Sequence, residues 1–442
     1  MVVRISRSNA SGSGRAGQFI TSPVAATTLG NGLRIRVAPM AHARSVTVSL
    51  GFATGSRYEH ADEQGIAHLV EHMLFKGTAR FPTAQMISEA IEGVGGILNA
   101  GTEKEMTTYW VKVASEHLEL AVDLLADMAT APRLDDEELE KEKKVVIEEL
   151  GLAQDAPGEW VHQLLSELLW PDQPLGREIA GTEETVNAQT PATLARYLRR
   201  THGLSNAVLV VAGDARPDEV VSLASSRLGQ ASGPSPEWER AHALGGLPRV
   251  VTETRATEQA YLALASYGLP RGHPDRYALR VLNSILGDGI SSRLFLEVRE
   301  RRGLTYDIAS YLANFHDTGA MAIAAGVEPE RTTEAIEAII GEVTKLRDER
   351  VPDPELRKIK AYLRGRTLLS LEDTSSVASW WSSPVLLGHE ERTPDEVLQL
   401  IDEVTATDVQ RVANELLKPG SFHLAHIGPQ IDREALRASL LP

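Results

Sequence analysis

The chain contains no cysteine. That excludes disulfides and thiolate metal sites, so any bound metal must be held by histidine or carboxylate. Also missing is any apolar run approaching the ~20 residues that span a bilayer. The longest runs, such as Ala207 to Ala212, are short enough to read as buried strands. Positive charge is scarce: 45 Lys and Arg against 61 Asp and Glu leave a net charge of −16. A non-specific nucleic-acid binder needs the opposite balance. Two uses remain for the acidity: solubility, or a cavity that attracts basic peptides. Acidic residues are themselves absent before Glu59, where Arg4, Arg7, Arg15, Arg34, Arg36, Arg44 and Arg57 stand.

What is present fits a globular protein. In 442 residues, 42% are apolar and 24% charged, with room for two to four domains. The segment Met1 to Gly17 is rich in Arg, Ser and Gly and lacks the apolar core of a secretory signal. It reads as a disordered leader over 1–23, or as an organellar transit segment. The expected compartment is the cytoplasm, with an organellar matrix as the alternative.

Order is expected from Val24. Thr28 to Val37 alternates and carries Asn31-Gly32, a type I′ hairpin signal. Ser45 to Phe52 and Thr107 to Val113 read as strands. Gly65 to Phe75, Pro82 to Val94, Ser115 to Thr130 and the highly charged Asp135 to Ala153 read as helices. Pro, Gly and Ser cluster at Gln230 to Pro236, near the midpoint. The halves close alike, each with a helix (Thr193 to Arg200; Thr407 to Lys418) followed by a strand (Ala207 to Ala212; Phe422 to Ile427). The predicted class is α+β: two similar α/β domains, 24–229 and 249–442, related by duplication and joined by a linker over 230–248.

The strongest local signal is His68-Leu69-Val70-Glu71-His72. Two histidines at i and i+4 share one helix face and can reach a single ion. Glu71 projects beside that face, placed to take a proton from water on the metal. The order His-x-x-Glu-His is that of the inverted zinc peptidases. With 13 histidines in the chain, chance produces such a pentapeptide on the order of a few per cent of the time. Leu69, Met73, Leu74 and Phe75 around it argue for anchorage against a core.

Catalytic zinc takes three protein ligands and keeps a fourth position open. Along Asp135 to Ala153, Leu139, Glu142, Val145, Val146 and Glu149 fall on one helical stripe. A carboxylate on a buried face needs a partner, and a metal is one. Periodicity alone leaves Glu149, Glu148 and Glu142 as candidates for the third ligand.

These residues resemble the M16 metallopeptidases, the family of pitrilysin, insulysin and the mitochondrial processing peptidase. The likeness runs from about Thr27 to Gly428 and looks closest to the bacterial half-length members. It is carried by Gly55-Ser56-Arg57-Tyr58-Glu59, by Gly65 to Thr78, by Asn99-Ala100 with Thr107 and Tyr109, by Glu142 to Glu149, and by Ser291 to Arg299 with Arg302 to Tyr306. The resemblance implies one Zn2+ per chain on His68, His72 and Glu149, with Glu142 supporting the site and Glu71 as base. It implies that Asn99 and Ala100 hold an extended peptide, and that Arg299 and Tyr306 act from the opposite half of a clam shell. Such a shell needs four α/β domains and this chain supplies two, so a homodimer completing its sites across the interface is expected. A heterodimer with a non-catalytic partner, or a catalytically silent scaffold, are the rival readings. Glu159 occupies the first of two acidic positions that read a substrate arginine in the processing peptidases, whereas the second is Gln163.

Overall fold

The computed structural model describes residues 23–231, 233–244 and 248–441. The leader expected over 1–23 lies outside them except for Pro23, as do 232 and 245–247 of the expected linker.

A mixed sheet of six strands organises the first unit. Its strands are β1 (Ala25–Thr28), β2 (Arg34–Pro39), β3 (Ser45–Phe52), β4 (Ile97–Thr102), β5 (Thr107–Ala114) and β6 (Ala207–Gly213), in the spatial order β1-β2-β6-β3-β5-β4. The run Ala207–Gly213 is buried throughout because it lies between β2, parallel to it, and β3, antiparallel. The second unit holds five strands: β7 (Val250–Thr254), β8 (Ala260–Tyr267), β9 (Thr305–Asn314), β10 (Gly319–Val327) and β11 (His423–Gly428), ordered β7-β11-β8-β10-β9. Aligning β2, β6, β3, β5 and β4 with β7, β11, β8, β10 and β9 reproduces every pairing and its direction. The two domains are therefore similar and the class is α+β.

Neither unit is contiguous in sequence. The first comprises the chain up to Glu149, Glu178–Glu239 and Arg366–Asp395; the second comprises Leu150–Arg177, Arg240–Gly365 and the chain from Glu396. Apolar coverage accounts for this. In the first unit, Val377, Ala378, Trp381 and Val385 of helix Thr374–Leu386 pack on Val208, Val210 and Ala212 of β6. In the second, Val161, Leu165 and Leu169 of helix Pro157–Leu169 pack on a face of small residues, Ala263, Ala265, Ala320, Ala322 and Ala425. Each sheet is covered by a helix that the chain supplies from the other half of its length.

The hairpin at Asn31-Gly32 forms, but not with a two-residue turn. Thr28 pairs with Arg34, and residues 29–33 make the loop, closed by Leu29 N–H to Leu33 O at 2.9 Å. Gly32 takes φ +91°, open to glycine at little cost. Asn31 is drawn elsewhere: its Nδ2 donates to Leu228 O at 2.8 Å and Ala231 O at 2.7 Å. That long-range tie fixes the wider loop.

Candidate metal centre

The motif helix spans Ile66–Leu74 and buries Ile66, Ala67, Leu69, Val70, Met73 and Leu74. Its first turn is capped from outside: the buried Glu59 carboxylate accepts from Gly65 N at 3.0 Å and from Ala67 N at 2.8 Å. An anion there meets backbone donors that have no partner within the helix. Gly65 enters at φ +86°, and a Cβ on it would stand 2.4 Å from Ala180 O, so no other residue fits. Arg57, two residues before Glu59, is also buried; it bonds Glu105 at 2.6 Å and lies over the Trp238 ring at 4.3 Å. The Gly55 to Glu59 segment thus seats the motif helix.

His68 and His72 present their rings side by side, centroids 4.7 Å apart. Glu149 comes from helix Asp136–Asp155. Its Oε2 is 3.8 Å from His68 Nε2 and 3.6 Å from His72 Nε2, and the three ligand atoms all lie within 4.8 Å of one another. Among the described residues this is the one cluster of its kind. Zinc bonds of about 2.0–2.2 Å at tetrahedral angles place ligand atoms roughly 3.3–3.6 Å apart. The cluster approaches that spacing, and two histidines with one glutamate form a donor set found in catalytic zinc sites. These residues could therefore hold zinc.

The supporting contacts are directional. Glu142 Oε2 lies 3.0 Å from His72 Nδ1, and its Oε1 lies 2.6 Å from Lys76 Nζ. An ionised carboxylate only accepts, so His72 Nδ1 carries a proton, and in the neutral ring Nε2 is left as the electron-pair donor beside Glu149. Burial would raise the Glu142 carboxyl, but the hydrogen bonds from His72 and Lys76 outweigh it and hold it below its ordinary value. Burial would lower His72; the bond to Glu142 and the carboxylates of Glu149, Glu142 and Glu71 win, and its value is raised. Burial, with some help from His72, pushes His68 down to about 4, which keeps it neutral, the form that metal binding would require.

Glu71 is half-buried, and burial raises its carboxyl against the opposing hydrogen bond from Thr102. Thr102 Oγ1 donates to Glu71 Oε2 at 2.5 Å. A cavity of about 240 Å³ opens beside these groups, lined by Glu71, His72, Phe75, Lys76 and Glu142.

The expected stripe on helix Asp136–Asp155 needs correction. Leu139, Glu142, Lys143, Val146 and Leu150 are buried, whereas Val145 is 40% exposed and Glu149 is 45% exposed at its side chain. Glu149 therefore stands at the solvated edge of the buried face, not on it. Lys143 takes the burial assigned to Val145 because its ammonium can reach out to Glu140 Oε1 at 2.6 Å and Asn187 O at 3.2 Å. Glu148 is exposed and outside the cluster.

Asn99 and Ala100 lie on β4, the outer strand of the first sheet. The Ala100 amide donates to Asn99 Oδ1 at 2.8 Å, so this edge amide is covered by its neighbour's side chain. In the second unit, Arg299 sits on a π-helical turn, Phe295–Arg301, with its guanidinium 4.6 Å from the Phe295 ring centroid and 4.8 Å from that of Tyr306. Tyr306 is 76% exposed, which is not the environment of a core tyrosine. Glu159 is exposed in the first turn of helix Pro157–Leu169. Gln163 donates to Gly176 O at 2.9 Å. Sequence reasoning did not single out Thr102 or Lys76. Neither has a local signal: each is defined by a partner that folding brings close, Glu71 for one and Glu142 for the other.

Residues 36–183 match the insulinase (peptidase family M16) model, and 189–363 match the model described as the peptidase M16 inactive domain. An uncharacterized zinc protease of Streptomyces coelicolor is 36% identical over 430 residues, covering 95% of this chain and 93% of that protein. The uncharacterized zinc protease YmxG of Bacillus subtilis is 35% identical over 408 residues, 91% of this chain and 97% of its own. A protease from Helicobacter pylori shares the fold at a TM-score of 0.87 and 22% identity, over 92% of this chain and 100% of its own. No helix among the described residues is long and apolar enough to cross a membrane. With full-length relatives above 30% identity and both family models matched in order, the chain belongs to the M16 family of peptidases.

Proposed function

We propose that the chain is a zinc-dependent endopeptidase, with His68, His72 and Glu149 as ligands of one Zn2+ and Glu71 as the general base. The observation that carries this reading is the convergence of those three ligand atoms within 4.8 Å of one another, with Glu71 on the same helix. When bound, zinc supplies Lewis acidity, lowering the pKa of a water and polarising the scissile carbonyl. Glu71 then receives the proton of the attacking water and delivers it to the leaving amine. Glu142 holds His72 in the tautomer that leaves Nε2 available. Asn99 and Ala100, on a strand with one open edge, hold an unstructured peptide by strand addition, displacing the Asn99 Oδ1 bond to the Ala100 amide. Arg299 and Tyr306 donate to the carbonyl oxygen as it gains negative charge. Glu159 contributes a carboxylate contact to the peptide, and Gln163 adds no charge to it. The family's four-domain enclosure leads us to propose a homodimer in which this pair serves the partner's zinc.

Purified Glu71→Gln protein tests the reading. Zinc content should match the wild type while peptide hydrolysis falls at least ~10²-fold, the scale for removing a general base. Hydrolysis by the wild type should also stop with a chelator and return with zinc. Near-normal turnover in the zinc-loaded variant would reject Glu71 as the base.

A further inference from the structure

We propose that Thr102 is a positioning residue for the Glu71 carboxylate, tying the orientation of that carboxylate to the edge strand along which peptide is bound. The inference rests on the function proposed above. Glu71 stands on the motif helix and Thr102 closes β4, so the hydrogen bond at 2.5 Å links two elements through residues 31 positions apart in sequence. The helix packs directly on that strand.

Alternation along β4 places Leu98, Ala100 and Thr102 on its half-buried side and Ile97, Asn99 and Gly101 on its exposed side. The Thr102 hydroxyl therefore points from the sheet toward the helix. A glutamate side chain has several freely turning bonds, so a fixed partner outside the helix helps to hold one rotamer. Thr102 holds the carboxylate by two groups, its hydroxyl on Oε2 and its backbone amide, and the hydroxyl is the one that depends on the side chain. A β-branched residue suits the task, because its χ1 is confined by the strand and the hydroxyl is held where the carboxylate needs it. Asn99 and Ala100 lie on the same short strand, fixed by pairing with Trp110 and Tyr109 of β5, just as Thr102 is fixed by Thr107. Peptide position and carboxylate orientation thus share one rigid reference.

The test compares Thr102→Val, which keeps the branched shape and the backbone amide but loses the hydroxyl, with Thr102→Ser, which keeps the hydroxyl. Valine favours strands, and Thr102→Ala repeats the measurement should the valine perturb the fold. A charge-assisted hydrogen bond of this kind is expected to count for about ten- to a hundredfold in kcat. Thr102→Val should lose that much kcat with KM changed less than about twofold and zinc content unaltered, whereas Thr102→Ser should retain most activity. Unchanged kcat in the variants without the hydroxyl overturns the proposal, as does a serine variant no better than valine, which would indicate strand packing instead. Glu71→Gln, measured alongside, separates the two levels: an active Glu71→Gln overturns both readings, and an inactive one beside a fully active Thr102→Val overturns only this one.

Discussion

Glu142 accepts from His72 Nδ1 at 3.0 Å while holding Lys76 at 2.6 Å, so one buried carboxylate binds the second histidine of the motif to the turn that follows it. A partner of this kind sets the ring orientation and the basicity of a metal-binding histidine. Glu142→Ala is expected to weaken zinc binding about 10- to 100-fold while leaving Glu71 in place, and Glu142→Gln, which can still accept from Nδ1, should lose less. Zinc competition with a fluorescent chelator reads the difference. Equal loss in both variants would mean the charge matters and the orientation does not.

The neighbouring carboxylates Glu148 and Glu149 are expected to part company. Both are exposed, but only Glu149 faces the two imidazoles. Glu149→Ala should purify largely free of zinc, and Glu148→Ala should retain a full complement. Metal analysis of the two proteins decides it; a zinc-poor Glu148→Ala would put the helix one residue out of register.

Acid should destabilise the protein through His202. Its ring packs 4.5 Å from that of Phe52, and burial pushes its pKa from 6.5 to about 3. The folded-state value lies below the unfolded one, so the unfolded chain takes up the extra proton between about 6.5 and about 3. Stability is full above that window and falls as pH drops through it, by about 1.4 kcal/mol per pH unit for one proton. His202→Phe removes the proton site, and Thr201 Oγ1 keeps its bond to Tyr197 O at 2.8 Å. Urea unfolding at pH 7.5 and pH 5 should show the variant losing less stability than the wild type. Parallel losses would show that His202 is not the group responsible.

If Arg299 and Tyr306 serve the zinc of a second copy, Glu71→Gln and Tyr306→Phe should complement each other. Each homodimer is damaged at both of its sites. A mixed dimer has one site with both lesions and one with neither, so activity should reappear on mixing once subunits exchange. Solution size should be about twice the 48.0 kDa chain mass. An active monomer, or exchange without recovery, rejects the shared site.

Much of the fold was legible because it is written locally. The predicted strand Ser45 to Phe52 coincides with β3, and the motif helix lies inside Gly65 to Phe75. The similar close of the two halves reflects sheets with matching strand order. Composition around Gln230 to Pro236 marks a chain crossing near Glu239, but it carries no sign that residues 150–177 pack with the second unit and 366–395 with the first. A helix's apolar face shows only that it must be covered, not by which sheet.

The same division holds at the candidate metal centre. That His68 and His72 share a face follows from 3.6 residues per turn, a property of any helix these residues form. Local sequence settles that much, along with the position of Glu71 between them. Which glutamate of helix Asp136–Asp155 meets the histidines is settled by how two helices far apart in sequence dock. Docking sent Glu142 to His72 Nδ1 and Glu149 to the Nε2 atoms, and it turned Val145 outward although periodicity placed it inside. Thr102 reaches Glu71 by the same route. Spacing within a helix is a matter of covalent geometry and hydrogen bonding over a few residues; contacts across a fold depend on packing of whole surfaces, which no window of sequence contains.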